Sequence, residues 1–237
     1  MTKFVALGDP SPLLKKSFVD RGYSVIDLPR FSLLSDKISY HADMLFSFIR
    51  GKLFTSSSYY IIAKSELDLI SDSLGASIVL DPHSDFNGYP SEARFNVLLL
   101  GDYLFANKSA VSPYIADACD SLGVTLVHVN QGYAACSCAV CGDGIITADP
   151  SIYEALVARD IPSLKISQGH ILLPGYSYGF IGGACGFSRS DNTLWFNGDI
   201  TMHPDYNAIS QFACSMGVSV YSLGAWSLTD CGGLFFF

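Results

Sequence analysis

One unit recurs five times along the chain, and this repetition limits the fold more than any other feature of the sequence. Four copies contain a proline that opens an amphipathic segment, and in three of them a Gly or Asp turn follows ten residues later, as from Pro12 to Gly22. Proline is favoured at the first position of a helix and glycine just beyond its end. The pattern therefore predicts five helices of about three turns, within residues 12–22, 65–75, 113–123, 150–160 and 204–217.

A short apolar strand is predicted on each side of every helix. The strands before the helices are 4–7, 52–55, 103–105, 144–147 and 193–196, and those after them are 23–26, 76–79, 124–127, 161–164 and 218–221. Such a ββαβ-like unit cannot bury its own faces, so the five copies must pack against one another in an array. We expect residues 1–237 to form one domain of this kind.

The last residues indicate how the array ends. An open array needs polar terminal units, whereas residues 234–237 read Leu-Phe-Phe-Phe. We predict that this segment pairs with or packs beside residues 4–7, which would close the array into a ring and remove its sheet edges. The predicted fold class is therefore α/β, with five pseudo-fivefold blades.

Several short strings resemble a family that is described only as having the guanidine-modifying-enzyme fold. They are YHADM at 40–44, QGY leading to CS at 131–137, GIIT at 144–147, LPGYSYGFIGG at 173–183 and DCG at 230–232. The resemblance implies the pentein fold, a five-bladed α/β propeller. Arginine deiminase, agmatine deiminase and dimethylarginine dimethylaminohydrolase share this fold, as does the non-catalytic ribosome anti-association initiation factor.

The resemblance leaves two classes of function open. One is a protein that binds a small cationic, guanidino-type ligand in the axial channel and acts on it as a cysteine-dependent hydrolase. The other is a non-catalytic binding or interaction protein of the same fold. A fold alone does not decide between them, because one fold hosts many functions.

In a ring, the segments that join neighbouring units converge on the axis, and these segments contain the unusual polar residues. His41 and Asp43 would share one face of an extended segment. The resemblance gives His41 the role of general acid/base and Asp43 that of guanidinium ligand, and the alternative is a structural histidine. Cys231 would be the nucleophile, or else a small core residue. The predicted substrate contacts come from Glu92, Arg94, Asn96, Cys136 and Asp230.

Three cysteines, Cys136, Cys138 and Cys141, fall within six residues. Structural zinc sites usually have two separated ligand pairs, and this segment has no partner pair. We therefore expect no metal and no cofactor, and we retain Cys136 as the alternative nucleophile. If the segment is a strand, Cys136 and Cys138 share a face.

The charge of the chain limits the classes of ligand and partner that it could bind. The chain has 14 Lys and Arg against 22 Asp and Glu, for a net charge of −8. This balance argues against binding to nucleic acid and favours a cationic ligand.

No apolar run approaches the roughly 18 residues of a membrane span, and the first residues lack a signal-peptide core. The seven cysteines lack the spacing of a secreted scaffold, so we expect free thiols in a cytoplasmic protein.

Overall fold

The computed structural model describes residues 3–237 and contains five three-stranded sheets of one design. In each sheet an antiparallel pair of strands is followed by a helical crossover to a third strand, which runs parallel to the middle one. The first sheet contains β1 (Lys3–Gly8), α1 (Pro12–Val19), β2 (Tyr23–Leu28) and the last strand, β15 (Phe235–Phe236).

The other four units, each a three-stranded sheet with its associated helices, follow one another along the chain. The second comprises α2 (Ala42–Leu45), β3 (Phe46–Ile49), β4 (Lys52–Ser56), α3 (Ser57–Ile62), α4 (Lys64–Leu74) and β5 (Ser77–Asp81). The third, which follows a 3₁₀ turn at Ser91–Ala93, comprises β6 (Leu98–Leu100), β7 (Tyr103–Ala106), α5 (Pro113–Ala118) and β8 (Thr125–His128). The fourth comprises β9 (Cys138–Cys141), β10 (Gly144–Thr147), α6 (Pro150–Val157) and β11 (Ser163–Lys165). The fifth comprises β12 (Cys185–Ser188), β13 (Thr193–Phe196), a 3₁₀ turn at Ile200–Met202, α7 (Tyr206–Ser215) and β14 (Ser219–Ser222).

Three of the four prolines begin helices for the expected reason, whereas α7 begins at Tyr206, two residues after Pro204. In α1, α5 and α6 the proline is the first helical residue, and the side chain just before it accepts a backbone N–H of the first turn. These capping residues are Ser11, Ser112 and Asp149. They satisfy one of the N–H groups that a helix start leaves free. These three helices are shorter than predicted, and α5 has only six residues, because turns rather than helix lead to the Gly or Asp that follows. Helix α4 has the predicted length, with 11 residues.

All ten predicted strands are confirmed, with ends that differ by at most two residues. The predicted closure is also confirmed. Strand β15 pairs antiparallel with β1, so that Val5 lies opposite Phe236 and Ala6 opposite Phe235. The Phe236 ring packs edge-on against Phe18 at 5.7 Å and against Tyr23 at 5.4 Å between centroids. The first sheet is therefore assembled from both ends of the described chain.

The first strands of neighbouring sheets pack closely around a common centre. Strand β12 contacts both β9 and β15, and a side chain at Gly186 of β12 would overlap the carbonyl oxygen of Leu234. Buried apolar side chains fill the spaces behind these strands, among them Leu53, Leu104, Ile146 and Leu194. This arrangement brings the connecting segments of different sheets to one place.

The helices are all short. The longest, α4, has 11 residues, whereas a bilayer-spanning helix needs about 20. No helix within residues 3–237 is long and apolar enough to cross a membrane.

Candidate functional site

Five polar side chains from four connecting segments converge near the centre of the ring. They are buried, with at most 4% of each residue exposed. We call them the floor cluster: His41, Asp43, Asn96, Cys136 and Asp230. Burial of so many polar groups together is costly unless partners satisfy them, so their contacts decide what the cluster can do.

His41 and Asp43 meet by a different geometry from the one expected. The prediction of an extended segment is wrong, because His41 (φ −70°, ψ 110°) precedes a single helical turn, α2, that contains Asp43. The N–H of Asp43 donates to the carbonyl oxygen of Gly232 at 3.1 Å. Gly232 has φ +78°, and a side chain there would overlap His41. The close approach of a glycine therefore fixes the first and last segments against each other.

Asp230 occupies the middle of the floor cluster. Its carboxylate accepts the backbone N–H of Phe180 at 2.9 Å and that of Gly232 at 3.0 Å. The Cys136 thiol lies 3.7 and 3.8 Å from its two oxygens, and His41 Nδ1 lies 3.6 Å from Oδ1. A side chain at Gly183 would overlap this carboxylate. The glycines of the GFIGG string thus make room for Asp230.

Cys136 precedes strand β9 rather than lying on it. Its N–H donates to Oδ1 of Asn96 at 3.1 Å, which holds the thiol beside the carboxylates. Cys138 and Cys141 lie on β9 in two different parts of the apolar core. The three neighbouring thiols therefore do not share a site, and all seven cysteines are free.

The floor cluster favours added positive charge. Burial and the nearby Asp230 raise the pKa of Asp43 to about 6, although His41 opposes the shift. Burial, Asp230 and Asp43 raise the pKa of the Cys136 thiol well above its usual range. A cation placed here would favour the ionised form of both groups.

An aromatic-walled cavity of about 220 Å³ lies over the floor cluster. Three members of the cluster, His41, Cys136 and Asp230, border it. Its walls are formed by the aromatic rings of Tyr133, Tyr176, Tyr178 and Phe180, with Ile38, Met44 and Leu173. The sequence predicts Tyr176 and Tyr178 among the polar residues that converge on the axis, and both border the cavity. Tyr133 and Phe180 were not assigned to the site, although both lie within the strings that carry the family resemblance.

Two predicted substrate-binding residues lie outside the floor cluster. Glu92 accepts a hydrogen bond from the Tyr133 hydroxyl at 2.5 Å and so supports a wall of the cavity. Arg94 donates from Nε at 3.0 Å and from Nη2 at 2.9 Å to the same oxygen of Asp81. Neither residue borders the cavity.

Cys231, the predicted nucleophile, borders a different depression. This half-buried thiol lies with Asp9, Arg30, Tyr40 and Trp226 around a space of about 390 Å³. Burial and Asp230 raise the pKa of Cys231 to about 12. Of the eight predicted residues, the structure therefore brings five together and leaves Cys231, Glu92 and Arg94 outside the cluster.

A family model described as a family of unknown function, DUF6873, matches residues 9–235. The chain belongs to the DUF6873 family. No curated protein matches the sequence of this DUF6873 member significantly.

Solved structures resemble this DUF6873 member over almost its whole length. SxtG, an amidinotransferase of the saxitoxin pathway from Microseira wollei, is 11% identical, with a TM-score of 0.56 over 98% of this chain and 93% of its own. The N-terminal domain of ArgZ, an arginine dihydrolase of Cyanobacteria, is 12% identical, with a TM-score of 0.54 over 99% and 95%. AgrE, in a complex with ornithine and NAD+, is 10% identical, with a TM-score of 0.51 over 98% of this chain, which spans only 38% of AgrE. These likenesses show the pentein fold.

Proposed function

We propose that this DUF6873 member binds a small guanidino-type cation in the aromatic-walled cavity and hydrolyses it with Cys136 as nucleophile. The observation that carries the proposal is the composition of the floor cluster, where a thiol, an imidazole and two carboxylates lie within a few ångströms of one another, three of the four bordering the cavity. Guanidino chemistry needs this combination, because a cation must be held while its carbon is attacked.

The charge of the cavity supports a cationic ligand. Asp43 and Asp230 are 3% and 1% exposed, and the described residues that line the cavity include no Lys or Arg to neutralise them. The aromatic walls add attraction for a cation, since the face of an aromatic ring is electron-rich. A guanidinium also matches two carboxylates in shape, because it presents planar N–H donors in a fixed fork.

The size and lining of the cavity favour a short ligand without a carboxylate. Its volume of about 220 Å³ is below the roughly 300–1,000 Å³ of pockets for drug-sized ligands. Lys37, a cation beside the wall residue Tyr176, donates to the carbonyl oxygen of Gly175 at 2.7 Å and lies over the Tyr176 ring. We therefore propose alkylguanidines of the agmatine type as better ligands than arginine.

The proposed reaction has two halves. The Cys136 thiol gives its proton to His41 and its sulfur bonds to the guanidinium carbon. The C–N bond to one terminal nitrogen then breaks as His41 returns the proton to that nitrogen, which leaves as ammonia, and a covalent thiouronium adduct that retains the alkylamino group remains on Cys136. Water adds to the same carbon while His41 accepts its proton, and the C–S bond breaks to release a ureido product and the thiol.

The raised pKa of Cys136 has a direct consequence for this reaction. In the free protein the thiol is neutral because burial and two carboxylates oppose its ionisation. A bound cation would reverse this effect, so the nucleophile would form only when the ligand is present. Burial and Asp230 raise the pKa of Cys231 in the same way, but Cys231 borders the other depression and not the aromatic-walled cavity.

The second candidate function is binding without catalysis. It is favoured by one observation: the free floor cluster holds its only thiol in the neutral form. If no step removes the thiol proton, the same cavity remains a cation-binding site.

Release of ammonia or amine from agmatine and arginine would test the proposal. We expect turnover of agmatine that Cys136→Ala abolishes and that Cys231→Ala and Cys214→Ala leave unchanged, Cys214 being an exposed residue of α7 outside the floor cluster. Loss of turnover in Cys231→Ala alone would transfer the nucleophile to Cys231. Binding of agmatine with no product from the unmodified protein would establish the second candidate.

A further inference from the structure

We infer that His41, Asp43 and Cys136 form a binding site for a divalent transition-metal ion, with Zn²⁺ the ion that suits the donors best. Each residue offers one ligand atom, and these atoms all lie within 4.8 Å of one another. The inference stands apart from the proposed hydrolysis, because it needs only the donor atoms and their geometry.

The separations are close to those of a tetrahedral site. Zinc bonds of about 2.0–2.3 Å place neighbouring ligand atoms roughly 3.3–3.8 Å apart, so contraction by about 1.5 Å at most would seat the ion. One imidazole nitrogen, one thiolate and one carboxylate oxygen form a mixed set that Zn²⁺ accepts readily. Hard ions such as Mg²⁺ and Ca²⁺ prefer oxygen ligands alone.

Two of the three side chains carry buried atoms that lack any hydrogen-bond partner among residues 3–237. These atoms are Nε2 of His41 and Oδ1 of Asp43. Buried polar atoms are nearly always paired, so an unpaired one requires an explanation. A metal ion would satisfy a nitrogen lone pair or a carboxylate oxygen that the protein leaves free.

Asp230 is placed to become the outer partner that metal-binding histidines usually have, after a closer approach to His41 than the present 3.6 Å. Its carboxylate already accepts two backbone N–H groups and lies 3.6 Å from Nδ1 of His41. Such a carboxylate orients the imidazole and increases its basicity as a ligand. Because His41 and Cys136 border the cavity, water from the cavity could complete four ligands, as in open zinc sites.

Binding has a defined proton balance. The Cys136 S–H bond breaks, its proton goes to solvent, and S–Zn, N–Zn and O–Zn bonds form without any change of oxidation state. Affinity for the ion should therefore rise with pH. The ion would fill the position that the guanidinium is proposed to occupy, so the two should compete.

Titration with Co²⁺, a spectroscopic substitute for Zn²⁺, would test the inference on the purified full chain. We expect tetrahedral visible bands and a sulfur-to-cobalt charge-transfer band, both displaced by Zn²⁺. The charge-transfer band should disappear in Cys136→Ser and remain in Cys214→Ser and Cys231→Ser. Asp230→Asn should retain the band and weaken binding about 10- to 100-fold, the usual cost of losing an outer partner.

Three outcomes would overturn the inference. They are an octahedral Co²⁺ spectrum, a charge-transfer band that survives in Cys136→Ser, or binding unaffected by both His41→Ala and Asp43→Asn. Circular dichroism of each variant identifies any that fails to fold. Agmatine should raise the apparent Kd for Co²⁺ if the proposed function holds. A site that binds Co²⁺ but ignores agmatine would contradict the proposed function and leave the metal site standing.

Discussion

Two buried polar clusters of this protein differ in how completely their atoms are paired. The ion-pair cluster consists of Asp81, Arg94 and Ser112, and the other is the floor cluster. Asp81 is 2% exposed and Asp43 is 3% exposed, so burial alone does not distinguish them. One Asp81 oxygen accepts from Arg94 and, at 2.7 Å, from Ser112, while the other accepts the N–H of His83.

The pKa values of the two aspartates reflect this difference. Burial alone would raise the pKa of Asp81, but its bonds from Ser112, His83 and Arg94 outweigh burial and lower it. For Asp43 burial prevails and the pKa rises to about 6. A buried carboxylate that is fully paired holds the fold together, whereas one with an unpaired oxygen, as in Asp43, costs stability and is available to a ligand.

The largest expected effect comes from making the same substitution in both clusters. Asp81→Asn leaves the Arg94 guanidinium buried without a counter-ion and should lower the free energy of unfolding by about 3–5 kcal/mol. Asp43→Asn removes an unfavourable buried charge and should leave that free energy unchanged or increase it. Urea unfolding monitored by circular dichroism compares the two variants. Equal destabilisation would mean that the clusters do not differ in role.

The next effect concerns the space around Asp230. Gly183→Ala would displace the carboxylate and should weaken agmatine binding about 10- to 100-fold, since hydrogen bonds to charged groups contribute roughly 1.5–3 kcal/mol. Isothermal titration calorimetry measures the loss. Gly51→Ala is the control, because no atom lies within 4 Å of a Cβ there. Its backbone strain should lower stability while affinity stays the same.

The pH dependence should also separate the clusters. Binding of a cation needs ionised Asp43, so affinity should fall up to about tenfold per pH unit below pH 6. His41, Asp230 and Cys136 face the same carboxylate, and Asp43→Asn shows how much of the dependence is due to Asp43. The raised pKa means that Asp43 reduces stability as pH rises through 6, while the lowered pKa of Asp81 means that its contribution is lost in acid. A flat affinity profile between pH 5 and 7 would exclude Asp43 from the site.

The smallest effect concerns the aromatic wall. Phe180→Leu keeps an apolar side chain but removes the ring, and agmatine affinity should fall about two- to fivefold, in line with roughly 0.5–1 kcal/mol for a cation over a ring. Phe187→Leu, outside this cavity, is the matched control in the same calorimetric titration. An unchanged affinity in Phe180→Leu would show that the ring only shapes the wall.

Local signals in the sequence were sufficient to predict the helices and strands of the five blades. Pro12, Pro113 and Pro150 mark helix starts whatever their surroundings, and the apolar strands are readable from neighbouring residues. Closure by residues 235–236 could be inferred because a terminal apolar strand requires a partner. The five members of the floor cluster were found because they are unusual polar residues between units.

Long-range contacts determine the rest of the site, which the sequence therefore left open. Arg94 was expected to contact the ligand because the sequence does not show that it pairs with Asp81. That partner lies 13 residues earlier, at the end of β5. The sequence favoured Cys231 over Cys136 as the nucleophile, but the positions of both thiols depend on how Asn96 and Gly183 hold the backbone. The helical turn at Asp43 likewise follows from its contact with Gly232.

The seam where β15 meets β1 has a consequence for folding. It joins residues separated by more than 200 positions, as in the pairing of Val5 with Phe236, and contacts so distant in sequence form slowly. His41 and Asp230 come from the two segments that this seam brings together. A ligand bound between these two segments would stabilise the closed ring. At a ligand concentration of 100 times its Kd, it would add about 2.7 kcal/mol to the free energy of unfolding. Amide hydrogens of β1 should then exchange more slowly when the cavity is occupied.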